Sequence, residues 1–177
     1  MSTPAELSST EAGQRAADVM NALTIRLDDE LFAVEAKRVR EILDLVPITE
    51  VPNAPAFAAG LINVRGRVVP LTDLRVMFDM ERREPDQDTR IVVMEVEIGG
   101  EPTIAGILAD KVYDVTDIER ASIEEAPKVG MRWRPEYIKG VGKRNGGFII
   151  IPSMERIFDA TNGQGGLAVA TETTTHQ

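Results

Sequence analysis

The sequence predicts a mainly β protein in which two small barrels pack together and helices are short. Three observations carry this reading. Apolar residues alternate with polar ones over short runs bounded by turn-forming residues. Signals for helix are confined to brief stretches. One half of the chain also repeats in the other at a fixed offset.

In chain order, residues 1–20 are rich in Ser, Thr, Ala and Glu and read as a mobile arm or a frayed helix. Leu23, Ile25 and Leu27 alternate with polar residues. Asp28-Asp29-Glu30 then turns and 31–34 returns, which is a hairpin. Residues 55–60 suit one helical turn, with Pro55 at its start and Gly60 as its C-cap. Residues 73–80 suit about two turns. A second hairpin runs through 90–98, Gly99-Gly100 and 103–108. Asn145-Gly146 between apolar runs calls for a tight turn with both residues at positive φ. Residues 161–177 read as a disordered tail.

The repeat places Pro55-Ala-Phe57-Ala-Ala-Gly60-Leu61 over Pro135-Glu-Tyr137-Ile-Lys-Gly140-Val141, an offset of 80 residues. Without a gap, Gly66 falls over Gly146, Val68-Val69 over Phe148-Ile149, Leu74 over Met154 and Phe78 over Phe158. Upstream, Val39, Glu41 and Ile42 fall over Val112, Asp114 and Val115 at an offset of 73. Halves of about 70 residues are marginal as independent folds, so two barrels sharing contacts is the natural architecture. Phe57 and Tyr137, at equivalent places, are expected to plug their barrels.

The chain has 177 residues, a hydrophobic fraction of 43% and a formal net charge of −9. Such a charge repels a phosphate backbone, and acidic residues interrupt the small basic groups, so nucleic acid is not an expected partner. The same charge opposes self-association, and a monomer is expected. The longest apolar stretch, 54–64, is broken by Pro55, Gly60 and Asn63 and is too short for a bilayer. The N-terminus has no basic region followed by an apolar run, which argues against a secretory signal. There is no cysteine, hence no disulfide or thiolate metal site, and a reducing cytosol is the simplest compartment.

Enzyme chemistry has little to stand on. The single histidine is His176, next to the last residue, which excludes a core Ser–His–Asp system. No Gly-x-Ser-x-Gly elbow surrounds a serine. The 140–146 loop has neither dinucleotide-binding nor phosphate-loop spacing. Glu124-Glu125 and Asp28-Asp29 sit in turn-like contexts and read as solvated charge. A non-catalytic protein with no metal and no cofactor is expected.

Three segments resemble the CheW family of chemotaxis coupling proteins. They are Leu31-Phe-Ala-Val-Glu-Ala-Lys-Arg-Val39-Arg-Glu41-Ile42; Pro55 through the Asn63-Val-Arg65-Gly66 hairpin to Pro70-Leu-Thr-Asp73-Leu74-Arg75; and Gly106-Ile-Leu-Ala-Asp110-Lys-Val112-Tyr-Asp114-Val115. The likeness covers residues 21–160 and implies one CheW-like domain of two interlocked five-stranded, SH3-like barrels. The first barrel is placed at about 21–86 and the second at about 87–160, with strand exchange between them left open. Ser153, where family members often carry an acidic or amide residue, Pro152 and the 129–133 stretch depart from the pattern.

The resemblance implies a scaffold that binds the cytoplasmic tip of methyl-accepting chemoreceptors and the regulatory domain of the chemotaxis histidine kinase. It places the chain in the cytoplasm, recruited to membrane-associated receptor arrays without inserting into the bilayer. Carried over by position, the receptor-side residues are Val39, Glu41, Gly60, Arg65, Ile91, Val92, Val112 and Val115, and the kinase-side residues are Pro127 and Val129. For the valines and isoleucines, strand alternation equally supports a core role. Arg65 stands out because its counterpart is Asn145, so the barrel itself does not demand an arginine there. Glu41 is expected to hold it at a groove. Other readings are an adaptor of the same fold in a surface-motility or developmental kinase pathway, and a kinase regulatory domain standing alone.

Overall fold

The computed structural model describes residues 18–127 and 134–163. Its strands are β1 (Val19–Leu27), β2 (Glu30–Glu35), β3 (Val39–Asp44), β4 (Ala58–Val64), β5 (Arg67–Thr72), β6 (Arg90–Ile98), β7 (Glu101–Ala109), β8 (Lys111–Glu119), β9 (Ile138–Arg144) and β10 (Gly147–Pro152). Helices α1 (Leu74–Met77) and α2 (Met154–Gly163) follow β5 and β10. Two five-stranded sheets result, ordered β3-β6-β7-β5-β4 and β8-β1-β2-β10-β9. They curl into SH3-like barrels.

The barrels are not consecutive halves of the chain. One is contiguous, β3 to β7, and is inserted into the other, which is split between β1–β2 and β8–β10. A division near residue 86 therefore does not describe the sheets. The reason lies in the first hairpin: Phe32 of β2 pairs in parallel with Ile150 of β10, and β1 runs antiparallel to β8 over most of its length.

Each barrel closes the same way. Past its edge strand the chain makes a single antiparallel bridge to the opposite edge, Thr49 with Leu61 and Glu124 with Val141. Both amide–carbonyl bonds of each bridge are 2.8–2.9 Å long. The repeat also recurs in hydrogen bonding. Asp73 N–H donates to Phe57 C=O at 2.7 Å, and Ser153 N–H donates to Tyr137 C=O at 2.8 Å. Both hairpin tips have positive φ at both central residues, Arg65-Gly66 at 52° and 83° and Asn145-Gly146 at 49° and 77°. That conformation matches the right-handed twist of the flanking strands.

Alternation along the central strands sorts side chains between cores. From β6, Ile91 and Val93 point into the inserted barrel, while Val92, Met94 and Val96 join the core shared by both barrels. From β1, Met20 and Ala22 fill the split barrel, and Leu23, Ile25 and Leu27 face the shared core. With both faces covered, these strands read as nearly continuous apolar runs. Each of these side chains other than Ala22 contributes about 1.5–3 kcal/mol when fully buried. α2 seals the shared core with Met154, Ile157 and Phe158.

A buried ionic cluster ties the barrels together. Arg75 binds Asp73 through two parallel bonds of 2.9 Å and reaches Asp110 at 2.8 Å. Asp110 accepts in turn from the Asp28 amide at 2.7 Å, and its own amide donates to Arg26 C=O at 3.0 Å. The cluster thus links α1, the β7–β8 corner and the β1–β2 turn. Burial alone would lower the Arg75 pKa, but Asp73 and Asp110 outweigh it and the pKa is raised.

Several local expectations shift. Residues 55–60 form no helix: the Ala58 amide bonds Pro55 C=O at 2.9 Å, and extended chain follows at once. The helix expected over 73–80 is the single turn Leu74–Met77, ended by Phe78 and by Asp79 at φ 54°. The N-terminal arm ends sooner than expected, because β1 begins at Val19 and Met20 is buried. α2 runs through Gly163, past the expected start of the tail. Phe57 is buried, whereas Tyr137 is half-buried at the edge of the shared core. The rest of both tails, His176, and Val129 to Trp133 lie outside the described residues.

Candidate functional site

The Asn63-Val-Arg-Gly66 hairpin is locally self-sufficient. Asn63 Oδ1 accepts from the Gly66 amide at 2.8 Å, and Gly66 adopts its positive φ without strain. Arg65 takes no part in that bonding. It sits at φ 52°, where a long side chain is disfavoured and Asn is tolerated. The structure keeps a costly residue where its own repeat, Asn145, has the favourable one.

The Arg65 side chain is 81% exposed, and its Nη2 donates to Glu41 Oε1 at 2.9 Å. Glu41, on edge strand β3, is 26% exposed. The pair therefore bridges the two edges of the inserted barrel at its open mouth. Arg67, Val64, Val69, Val93 and Ile104 line the same groove, and so do Arg40 and Glu95, which form a second ion pair. A guanidinium anchored through one nitrogen keeps its other donors free in a defined direction. The groove thus offers polar recognition around an apolar floor.

The other sequence-derived residues fall into three groups. Val39 and Val112, equivalent in the repeat, are half-buried against the shared core, opposite Met94 and Ile25. Val115 is exposed on β8, and Pro127 is exposed beyond it. Ile91 and Val92 are fully buried, one inside the inserted barrel and one in the shared core, so they have no surface for a partner. Strand alternation put them there; both faces of β6 are covered. Val129 lies outside the described residues.

Gly60 is not a helix C-cap. It lies in β4 at φ 141°, and a Cβ there would stand 2.4 Å from Thr49 C=O, the carbonyl that closes the barrel. Its counterpart Gly140 is as tight, with Ile123 Cγ2 at 2.4 Å from the position of a Cβ. Both glycines let the closing segment approach, which is a structural role.

Sequence reasoning missed the outward-facing apolar residues Ile42, Val68 and Phe148. Val68 is the repeat partner of Phe148, so both barrels expose the same position after the turn, and Ile42 and Val115 add one outward residue on each outer strand. The signal was present: in each Val-Val or Phe-Ile pair after the turn, only one residue can face inward.

A charged cluster centres on Glu35 of the split barrel. Lys37 lies at 3.2 Å, Lys139 at 3.5 Å and Arg38 at 4.0 Å, and Arg38 also pairs with Glu155. Burial works to raise the Glu35 pKa, but the Lys37 hydrogen bond and the three cations overcome it and the pKa is lowered. Among the described residues no group of three or more His, Cys, Asp or Glu side chains is placed to hold a metal. No helix among them is long and apolar enough to cross a membrane.

Interlocked barrels whose open mouth carries a partly polar groove are the architecture of an adaptor domain. Residues 21–162 match the family model described as CheW-like domain, and the chain belongs to that family of chemotaxis adaptor and scaffold proteins. It is 29% identical to the chemotaxis protein CheW of Rhizobium meliloti over 136 residues, 77% of this chain and 85% of that protein. With the chemotaxis protein CheW of Klebsiella aerogenes it shares 28% over 138 residues, 78% of this chain and 81% of that one. The crystal structure of the scaffolding protein TtCheW from Thermoanaerobacter tengcongensis superposes with a TM-score of 0.69 at 31% identity. It covers 79% of this chain and 92% of its own.

Proposed function

We propose that this chain couples the cytoplasmic tip of methyl-accepting chemoreceptors to the regulatory domain of a chemotaxis histidine kinase, with no catalysis of its own. It would do so in the cytoplasm, at membrane-associated receptor arrays. The observation that carries the reading is Arg65: exposed, held by Glu41 at the barrel mouth, and kept in a backbone conformation that penalises it. Strain retained at an exposed position points to a role outside the fold. Ile42 and Val68 supply apolar contact near this charge, and Val39, Val112 and Val115 extend the receptor side. Pro127 and Val129 belong to the kinase side. A helical hairpin laid in such a groove is read by apolar anchors and a few fixed charges.

The test is Arg65→Asn, which installs the turn residue of the other repeat. Thermal stability should hold or rise, by up to about 1 kcal/mol, while receptor-dependent kinase activation in reconstituted arrays falls at least tenfold. Normal activation by a folded Arg65→Asn protein would sink the reading.

A further inference from the structure

The two barrels present equivalent mouths whose charges differ. In the inserted barrel each carboxylate, Glu41 and Glu95, meets an arginine. Counted from the hairpin turns, the place of Glu95 on β6 is taken on β1 by Thr24, and that of Glu97 by Arg26. Thr24 is 1% exposed, and its Oγ1 accepts from Arg144 Nη1 of β9 at 2.6 Å. Arg26 follows on the same inward face as Met20, Ala22 and Thr24, about 7 Å further along the strand. Its Nε is buried without a hydrogen-bond partner.

Among the described residues neither Arg26 nor Arg144 forms an ion pair. The neighbouring cation, Lys143, is taken by Glu124 at 3.8 Å. Two carboxylates, Asp117 and Glu119, line the groove beside Arg144, but Asp117 accepts from Asn21 and neither pairs with the arginine. Two guanidinium groups without an ion pair thus lie on the inward side of one barrel, Arg144 held by Thr24 and Arg26 two residues further along β1. A partly buried cation with an orphaned donor is costly unless an anion completes it.

We propose that the mouth of the split barrel is an oxyanion-binding site in which Arg26 and Arg144 supply the charge and the Thr24 hydroxyl holds Arg144 in place. A single carboxylate or phosphate group fits this chemistry. The site uses none of the receptor-side residues, of which Arg65 and Glu41 lie on the other barrel.

The experiment follows the arginine Nε–H resonances of the full chain by NMR. Inorganic phosphate and N-acetylglutamate amide are titrated separately at constant ionic strength. The Arg26 and Arg144 signals should move together and saturate with one dissociation constant. Arg144→Gln and Arg26→Gln should each weaken binding at least tenfold, whereas Lys143→Gln should change it less than twofold. Saturation by phosphate alone assigns a free phosphate; saturation by the glutamate derivative assigns an acidic protein side chain. Linear, non-saturating shifts with both probes in the wild-type chain overturn the site. So does saturation that survives both arginine substitutions.

Discussion

Gly60 shows how one residue can look functional while serving the frame. Its carbonyl neighbour, Thr49, occupies the space a side chain would need, and its φ of 141° lies outside the range of other residues. Gly60→Ala is expected to cost on the order of 2–3 kcal/mol, from strain and the displaced closing bridge. Urea denaturation measures it. A loss of receptor coupling in that variant would then follow from an opened barrel rather than from a missing contact. Arg65 is the converse case, a residue whose removal should leave the frame intact. A midpoint unchanged in Gly60→Ala would show that the closing segment yields more easily than the geometry indicates.

At the level of elements, the β2–β9–α2 corner should be acid-sensitive. The folded-state pKa of Glu35 lies below its ordinary 4.5, so its contribution is fully present above that value and is lost as pH falls through the depressed one. Glu35→Gln should therefore be less stable than wild type at neutral pH, and the gap should close as the pH falls below 4.5 and through the depressed pKa. Denaturant midpoints across that range check it; a pH-independent gap contradicts the assignment.

The hairpins were legible in the sequence because alternation and turn residues act locally. Asp28-Asp29, Gly99-Gly100 and Asn145-Gly146 each mark a turn that the structure contains. The repeat at an offset of 80 likewise holds in the strand register, with Gly60 opposite Leu71 and Gly140 opposite Ile151. Glu41, by contrast, lies opposite Val93, and Thr116, not Asp114, lies opposite the matching Ala22. What local signals did not reveal was which hairpin joins which sheet. That depends on the Phe32–Ile150 pairing and on the buried Arg75–Asp110 contact, both long-range. The burial of Val92 escaped for a related reason, since alternation tells two faces apart but not how many are covered. The Pro55 turn was read as helix because Pro followed five residues later by Gly marks a helical turn and a tight turn alike.

For the molecule as a whole, Asp110 is the joint. It holds Arg75 of the inserted barrel and the turn amide of the split barrel at once. Asp110→Asn leaves a buried guanidinium short of charge and is expected to cost about 3–5 kcal/mol. Calorimetry checks the size and should show both barrels melting together, because the shared core couples them. Two separated transitions in the wild-type chain would refute that coupling.

Insertion of one barrel within the other also fixes how the chain answers to force. Tension across the described ends enters through β1 and α2, both belonging to the split barrel or its seal. The inserted barrel leaves that frame after β2 and rejoins it at β8, with β1 between the two, and carries load only after the outer strands have given way. Pulled in an optical trap, the chain should lengthen first by the release of β1–β2 and β9–α2, and then by the strands from Val39 to Ala109. A scaffold under strain would thus shed its outer barrel first and keep the Arg65 groove folded until last.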